Sequence, residues 1–290
     1  MKNRPRCLDH PDIHIQIKGI RDHRFKKFIR FLLKFSNLKE SEIDILLDNG
    51  MQVYAQAFTH PTAHLHVNYE FLEFLGDLTL NKAIGWVMAR KFPQLHQPNG
   101  VKVMARLKIQ LVSKMVFSSV ADRLHFLPFI SSDAYARNFE KESTLEDCFE
   151  AFFGATEMLI DLHYASGAGY ATCYSMIEQF MRSVPISLKF EDLYDSKTRL
   201  KELFDKFRSE IGKLEYESIR IETDDRPIFK TIVYRKPPES EERIDMGYGE
   251  HHILVEAEKI AAEQAITHLS KQGYSKEVPE FYRRLEVYSQ

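Results

Sequence analysis

The sequence predicts an all-α domain followed by a smaller α+β domain of order α-β-β-β-α, and three observations point that way. From Leu38 to about Met181 apolar residues recur at helical spacing. Pro61, Pro93, Pro98 and Pro128 fall in apparent loops, where a missing N–H does no harm to a helix. Beyond Ser183-Val184-Pro185-Ile186-Ser187 the period changes, and Lys213 to Glu222 and Ile228 to Lys236 alternate as half-buried strands do. At 290 residues the chain is long enough for one large or two ordinary domains.

The elements follow in order. Residues 1–37 form an extension in which Arg21, Arg24, Lys26, Lys27, Arg30 and Lys34 interleave with Phe25, Phe28, Ile29, Phe31, Leu32 and Leu33, the pattern of a basic amphipathic helix. A solvated first helix of the domain is the favoured account and RNA contact the second; a membrane surface also suits such a pattern. Residues 38–185 make up the helical domain and 186–193 a linker. The second domain, 194–275, opens with a helix over Lys197–Phe207 and continues through the two strands above. A third strand runs near Glu242–Tyr248, and the last helix starts near Leu254, with Leu254, Ala257, Ala261, Ala265 and Leu269 on one face. Residues 276–290 read as a tail.

Composition narrows the function classes. A hydrophobic content of 44% and a charged content of 28% are ordinary for a soluble protein, and no apolar run approaches the roughly 18 residues of a membrane span. Cys7, Cys148 and Cys173 are few, odd in number and widely spaced, which argues against a disulfide framework and for a reducing compartment. Met1 to Lys18 lacks an apolar signal region and carries Asp9 and Asp12, so an intracellular setting is expected, cytoplasmic first, with nucleus and mitochondrion left open. A net charge of −2 gives no global basic footprint for nucleic acid.

Acids interrupt two otherwise apolar helical segments. Glu70, Glu73 and Asp77 share one helix face, and Asp147 and Glu150 share another. Leu72, Phe74, Leu75 and Leu80 on the first segment, with Phe149, Phe152 and Phe153 on the second, make both too apolar to be fully solvated. Unpaired buried carboxylates cost several kcal/mol each, so such a cluster calls for cations, and all-oxygen donors suit Mg²⁺ or Mn²⁺ better than zinc. Two surface helices whose acids face water are the alternative that spacing alone leaves open.

The run EFLGD at Glu73–Asp77, with Phe58-Thr59-His60-Pro61 upstream and DxFEAxxGA at Asp147–Ala155 downstream, resembles the ribonuclease III endonuclease domain over roughly residues 40–185. Ser196-Lys197-Thr198-Arg199-Leu200 and Ala257-Glu258-Lys259-Ile260-Ala261-Ala262, in their α-β-β-β-α frame, resemble a double-stranded RNA-binding domain. The resemblance implies a homodimeric endoribonuclease that cuts double-stranded RNA with two divalent ions and leaves 5′-phosphate and 3′-hydroxyl ends. It implies Glu73, Asp77, Asp147 and Glu150 as metal ligands, with Asp77 and Glu150 the principal catalytic acids, Mg²⁺ as cofactor and Mn²⁺ as a substitute. It also places Phe74 where an aromatic enters the partner subunit; ordinary core packing is the rival account of Phe74. Glu70, Lys197, Thr198, His251 and His252 are the candidate substrate contacts.

Departures from the family pattern are local. The family form NERLEFLGD stands here as VNYEFLEFLGD, with Tyr69 before Glu70 and Phe71 in place of the usual Arg, and Asn99 replaces a common acid. In the second domain Gly247-Tyr248-Gly249 leads into Glu250-His251-His252-Ile253-Leu254-Val255 without the usual lysines, and Thr223-Asp224-Asp225-Arg226-Pro227 replaces a Gly-, Pro- and His-rich loop. Residues 194–271 hold 14 Lys and Arg against 17 Asp and Glu, a balance of −3, so weak duplex affinity is expected. His60, His64 and His66 suggest zinc but lack a matching fourth ligand, and a solvated loop is the favoured account of His251 and His252. Two alternatives stay open: an RNA-binding or mitochondrial-ribosome structural protein of this architecture, and one subunit of a heterodimeric nuclease.

Overall fold

A computed structural model describes residues 15–223, 226–240 and 242–286; Cys7, Asp9, Asp12, Asp224, Asp225 and residues 287–290 of the expected tail lie outside the described residues. The chain divides into two compact units, Met1–Pro185 and Ile186–Gln290.

The first unit runs β1 (Gln16–Ile17), α1 (His23–Leu33), α2 (Glu40–Ala57), α3 (Glu70–Lys91), α4 (Pro98–Leu111), α5 (Lys114–Arg123), β2 (Ser132–Asp133), α6 (Ala134–Phe139), α7 (Lys141–His163) and α8 (Ala168–Met181). Helices make up most of its described residues; β1 pairs antiparallel with β2, Gln16 opposite Asp133 and Ile17 opposite Ser132, and Thr59 forms a parallel bridge with Ser131. That two-residue ladder is too short to show a period in the sequence. It satisfies backbone groups of a segment laid along the loop before α6, where Gly19 N–H also donates to Ser131 Oγ at 3.0 Å.

Helix α1, set apart by sequence in an extension, belongs to this unit's core. Phe25, Phe28, Ile29, Leu32 and Leu33 are buried, and Phe28 stacks on Phe129 with ring centroids 4.1 Å apart. Its outward cations meet acids of α2: Lys26 lies 2.7 Å from Asp48, Lys34 2.9 Å from Glu40, and Arg30 bridges Glu40 and Asp44. Arg21 Nη2 donates to the Phe58 carbonyl at 2.9 Å, so this guanidinium ties loops together.

Helices α3 and α7 form the centre of the unit. Leu72, Leu80, Ala83 and Ile84 of α3 are buried, and α3 packs against an α7 on which Leu145 and every residue from Cys148 to Thr156 are buried. The backbones touch at two glycines: a Cβ at Gly76 would run into the Glu150 carbonyl oxygen, and one at Gly154 into the Leu72 carbonyl oxygen. Tyr54 of α2, fully buried, shares a hydrogen bond of 3.3 Å with Thr156 of α7.

The second unit runs α9 (Phe190–Leu193), α10 (Ser196–Ile211), β3 (Lys213–Ile221), β4 (Ile228–Lys236), β5 (Ile244–His251), α11 (Leu254–Lys271) and α12 (Glu280–Glu286). The sheet is antiparallel in the order β3-β4-β5, with Ser218 opposite Thr231 and Thr231 opposite Gly249. Leu200, Leu203 and Phe204 of α10 and Ala261, Ala265 and Leu269 of α11 cover one face of it around Val233 and Met246. Asp195 caps α10 by accepting the Thr198 N–H at 2.8 Å.

Two segments depart from expectation. The linker 186–193 contains α9, and the tail from 276 contains α12. Phe190, Tyr194 and Tyr282 join them: the Tyr194 and Tyr282 hydroxyls are 2.7 Å apart, and the Phe190 and Tyr282 rings meet edge to face. Aromatic residues some ninety positions apart make a satellite cluster, a pairing that no local period reveals.

Candidate catalytic site

The α3–α7 contact positions the acids. Asn68 accepts the Glu70 N–H at 3.0 Å and so starts α3, after which Glu73 and Asp77 follow on the face turned to α7. From α7 come Glu146, Asp147 and Glu150, the last only 8% exposed. Gly76 and Gly154 allow the close approach that brings the two sets of acids within each other's field.

Electrostatics record that proximity. Burial pushes the Glu150 carboxyl up to about 9, with Asp77, Glu146, Glu73 and Asp147 adding repulsion. Glu73 is pushed up to about 7, by burial first and then by Asp147, Glu70, Glu146 and Asp77. Asp147 is also raised by burial, opposed by the Tyr69 hydroxyl, which donates to Asp147 Oδ2 at 2.8 Å. Glu146 is raised by burial and relieved in part by Lys114, 3.5 Å away. Among the described residues no three His, Cys, Asp or Glu side chains stand placed to share one ion. The donor chemistry nonetheless fits a hard divalent cation: carboxylate oxygens alone, desolvated, with five acids against one lysine.

Each predicted residue has a definite place. Glu73, Asp77 and Asp147 lie near enough to Glu150 to add to the rise of its carboxyl, and Glu70 lies exposed at the helix start. Asn81 donates to the Asp77 carboxylate at 2.5 Å. Phe74 is not core; it is 62% exposed, beside Phe71 at 59% and Leu78 at 55%, with Trp86 at 55% two turns on. Cys148 is fully buried, and burial holds its thiol well above the usual range. His60 Nδ1 pairs with Thr62 at 2.8 Å and His64 Nδ1 accepts the Val67 N–H at 2.8 Å, which leaves the three histidines no zinc geometry.

In the second unit the predicted contacts are dispersed. Lys197 is bound to Glu258, and Thr198 sits in the first turn of α10. His251 Nδ1 accepts the Ile253 N–H at 3.0 Å, and His252 Nδ1 lies 3.2 Å from the Pro227 carbonyl. Ile253, Leu254 and Val255 follow them as exposed apolar residues.

Tyr69, Glu146 and Lys114 were missed in the sequence. Glu146 adjoins Asp147 and could have been added to the cluster for that reason. The Tyr69–Asp147 bond crosses between elements and leaves no trace in spacing.

The Ribonuclease III domain model matches residues 70–158, which begin at the first acid of α3 and take in Glu146, Asp147 and Glu150 of α7. A protein of Invertebrate iridescent virus 6, provisionally named ribonuclease 3, is 34% identical over 280 residues, covering 91% of this chain and 94% of its own length. Ribonuclease 3 of Histophilus somni (strain 2336) is 30% identical over 217 residues, covering 74% of this chain and 89% of its own. Among solved structures, the nuclease domain of ribonuclease III from Campylobacter jejuni is 26% identical, with 55% of this chain and 99% of that one covered at a TM-score of 0.41.

Proposed function

Because this chain belongs to the ribonuclease III family and is an endoribonuclease, we propose that it hydrolyses double-stranded RNA at the acids of α3 and α7, with two divalent cations, Mg²⁺ in the first place. The observation that supports this most is the pair of helices locked backbone to backbone at Gly76 and Gly154, with five carboxylates held along the contact. A scaffold protein has no physical use for a desolvated cluster of like charge.

Asp77 and Glu150 are the principal ligands, with Glu73 and Asp147 completing the set directly or through water. When bound, the cations supply the activated water and the compensation of phosphoryl charge that hydrolysis requires. Tyr69 orients Asp147 by donating to its Oδ2. The products carry 5′-phosphate and 3′-hydroxyl ends.

One such site cuts one strand, so cutting a duplex needs two. The exposed stripe of Phe71, Phe74, Leu78 and Trp86 on α3 supports a second copy of this chain as its cover and a homodimer as the working form.

Incubating the full chain with a long labelled RNA duplex in Mg²⁺ or Ca²⁺ tests this. Wild type in Mg²⁺ should yield short duplexes with 5′-phosphates, and Glu150→Gln should lose at least a hundredfold in rate while staying folded. Equal cutting by both proteins would remove Glu150 from the mechanism; no cutting by a folded, dimeric wild type would favour a structural role.

A further inference from the structure

His60, in the run Phe58-Thr59-His60-Pro61, has no part in a zinc geometry, yet its ring lies against the residue that orients Asp147. It meets Tyr69 edge to face, with ring centroids 5.5 Å apart and planes at 89°. Tyr69 is 2% exposed, and its hydroxyl donates to Asp147 Oδ2 at 2.8 Å. A tyrosine hydroxyl lies on the Cβ–Cγ axis, so turning the ring about that axis leaves it in place and only a swing about χ1 carries it away. A second ring packed against the phenol opposes that swing. The backbone of Tyr69 is held separately, its N–H donating to the Thr59 carbonyl at 3.0 Å.

His60 is itself fixed through Nδ1. That nitrogen accepts the Thr62 N–H at 3.1 Å, which assigns the ring proton to Nε2. The Thr62 hydroxyl, 2.8 Å from Nδ1, then donates to it as well, and its oxygen accepts the Asp133 N–H at 3.0 Å. Gln16 Nε2 of β1 donates to the Thr62 carbonyl at 3.0 Å, and the His60 N–H donates to the Ser131 carbonyl at 2.9 Å. The β1–β2 ladder and the residue before β2 thus hold Thr62 and the His60 backbone. A histidine that only closed its own turn would need Nδ1 and nothing more; the ring contact with Tyr69 is the part that the turn does not use.

We propose that His60 is a positioning residue of the cation site: its imidazole keeps the Tyr69 hydroxyl on Asp147, and Thr62 with the β1–β2 ladder keeps the imidazole in place. The proposal rests on the reading of Asp147 as a cation ligand. His60 acts through the Tyr69 hydroxyl alone, so its effect on the cation vanishes once that hydroxyl is gone.

A double-mutant cycle on Mn²⁺ binding by the full chain tests this, with calorimetry of wild type, His60→Asn, Tyr69→Phe and the double variant. Asparagine keeps an acceptor near the place of Nδ1 for the Thr62 N–H and removes the rest of the ring. His60→Asn should bind Mn²⁺ about three- to tenfold more weakly than wild type, and the double variant no more than about twofold more weakly than Tyr69→Phe alone. Thr62→Val should shift affinity in the same direction and Thr62→Ser should restore it; this pair carries the test if His60→Asn does not fold. A second readout needs no metal. The Cζ magnetic resonance signal of Tyr69 in isotope-labelled protein, identified by its loss in Tyr69→Phe, should move in His60→Asn toward that of a phenol without a carboxylate partner. Loss of thermal stability with Mn²⁺ affinity and the Cζ signal unchanged would overturn the assignment, as would a loss of affinity that persists undiminished in the Tyr69→Phe background. A wild type that takes up no Mn²⁺ would sink the cation reading, and the Cζ signal would still decide whether His60 places the Tyr69 hydroxyl.

Discussion

Glu150 concentrates the chemistry of the site at one residue. Its carboxyl lies at about 9 and that of Glu73 at about 7, against 4.5 for both when solvated, and burial is the first cause in each case. The sign of the linkage follows. The folded state holds protons that the unfolded chain has released above pH 4.5, so the stabilising protonation is complete below that value and lost as pH rises through about 7 and then about 9. Metal-free wild type should therefore lose stability relative to Glu150→Gln as pH is raised from 5 to 9, and Mg²⁺ should reverse the loss in wild type alone. Thermal unfolding across that range, with and without Mg²⁺, checks both; parallel curves would contradict the raised carboxyl. Acids at i, i+3 and i+4 could be read from sequence because a helix face is a matter of counting. The bond from Tyr69 to Asp147 and the pairing of Lys114 with Glu146 could not, because both cross between elements.

Gly76 and Gly154 decide how near α3 and α7 come. Alanine at Gly76 would place its methyl against the Glu150 carbonyl, and neither backbone can yield without moving the helices apart. Gly76→Ala should cost about 1–3 kcal/mol or more in unfolding free energy and should reduce cleavage beyond what the stability loss explains, since the acids separate with the backbones. Denaturant unfolding and single-turnover cleavage measure the two effects; a stable, fully active variant would show that the close contact is dispensable. Most element identities were legible: β4 occupies the span its alternation marks, and α11 begins at Leu254. Those that failed are short. The turn α9, the terminal α12 and the β1–β2 ladder each depend on partners far away in the chain, and Phe190, Tyr194 and Tyr282 stabilise one another only once folded.

At the scale of the whole molecule, the first unit leaves a long apolar face uncovered on its central helix. Phe74→Arg puts a charge into the stripe of Phe71, Leu78 and Trp86 without touching the core. Sedimentation should find the wild type dimeric and this variant monomeric, with duplex cutting reduced at least tenfold; a monomeric wild type would mean that something other than a second copy covers the face. The central claim remains that two facing helices build a divalent-cation site from Glu73, Asp77, Asp147 and Glu150. Calorimetric titration of the full chain with Mn²⁺ at pH 7.5 tests it most directly, with Asp77→Asn, Glu150→Gln and Tyr69→Phe beside wild type. Wild type should bind Mn²⁺ with release of protons, Tyr69→Phe should bind roughly tenfold more weakly, and the two acid variants should lose the site while staying folded. Wild type that takes up no Mn²⁺ at millimolar concentration, or acid variants that bind as wild type does, would contradict it.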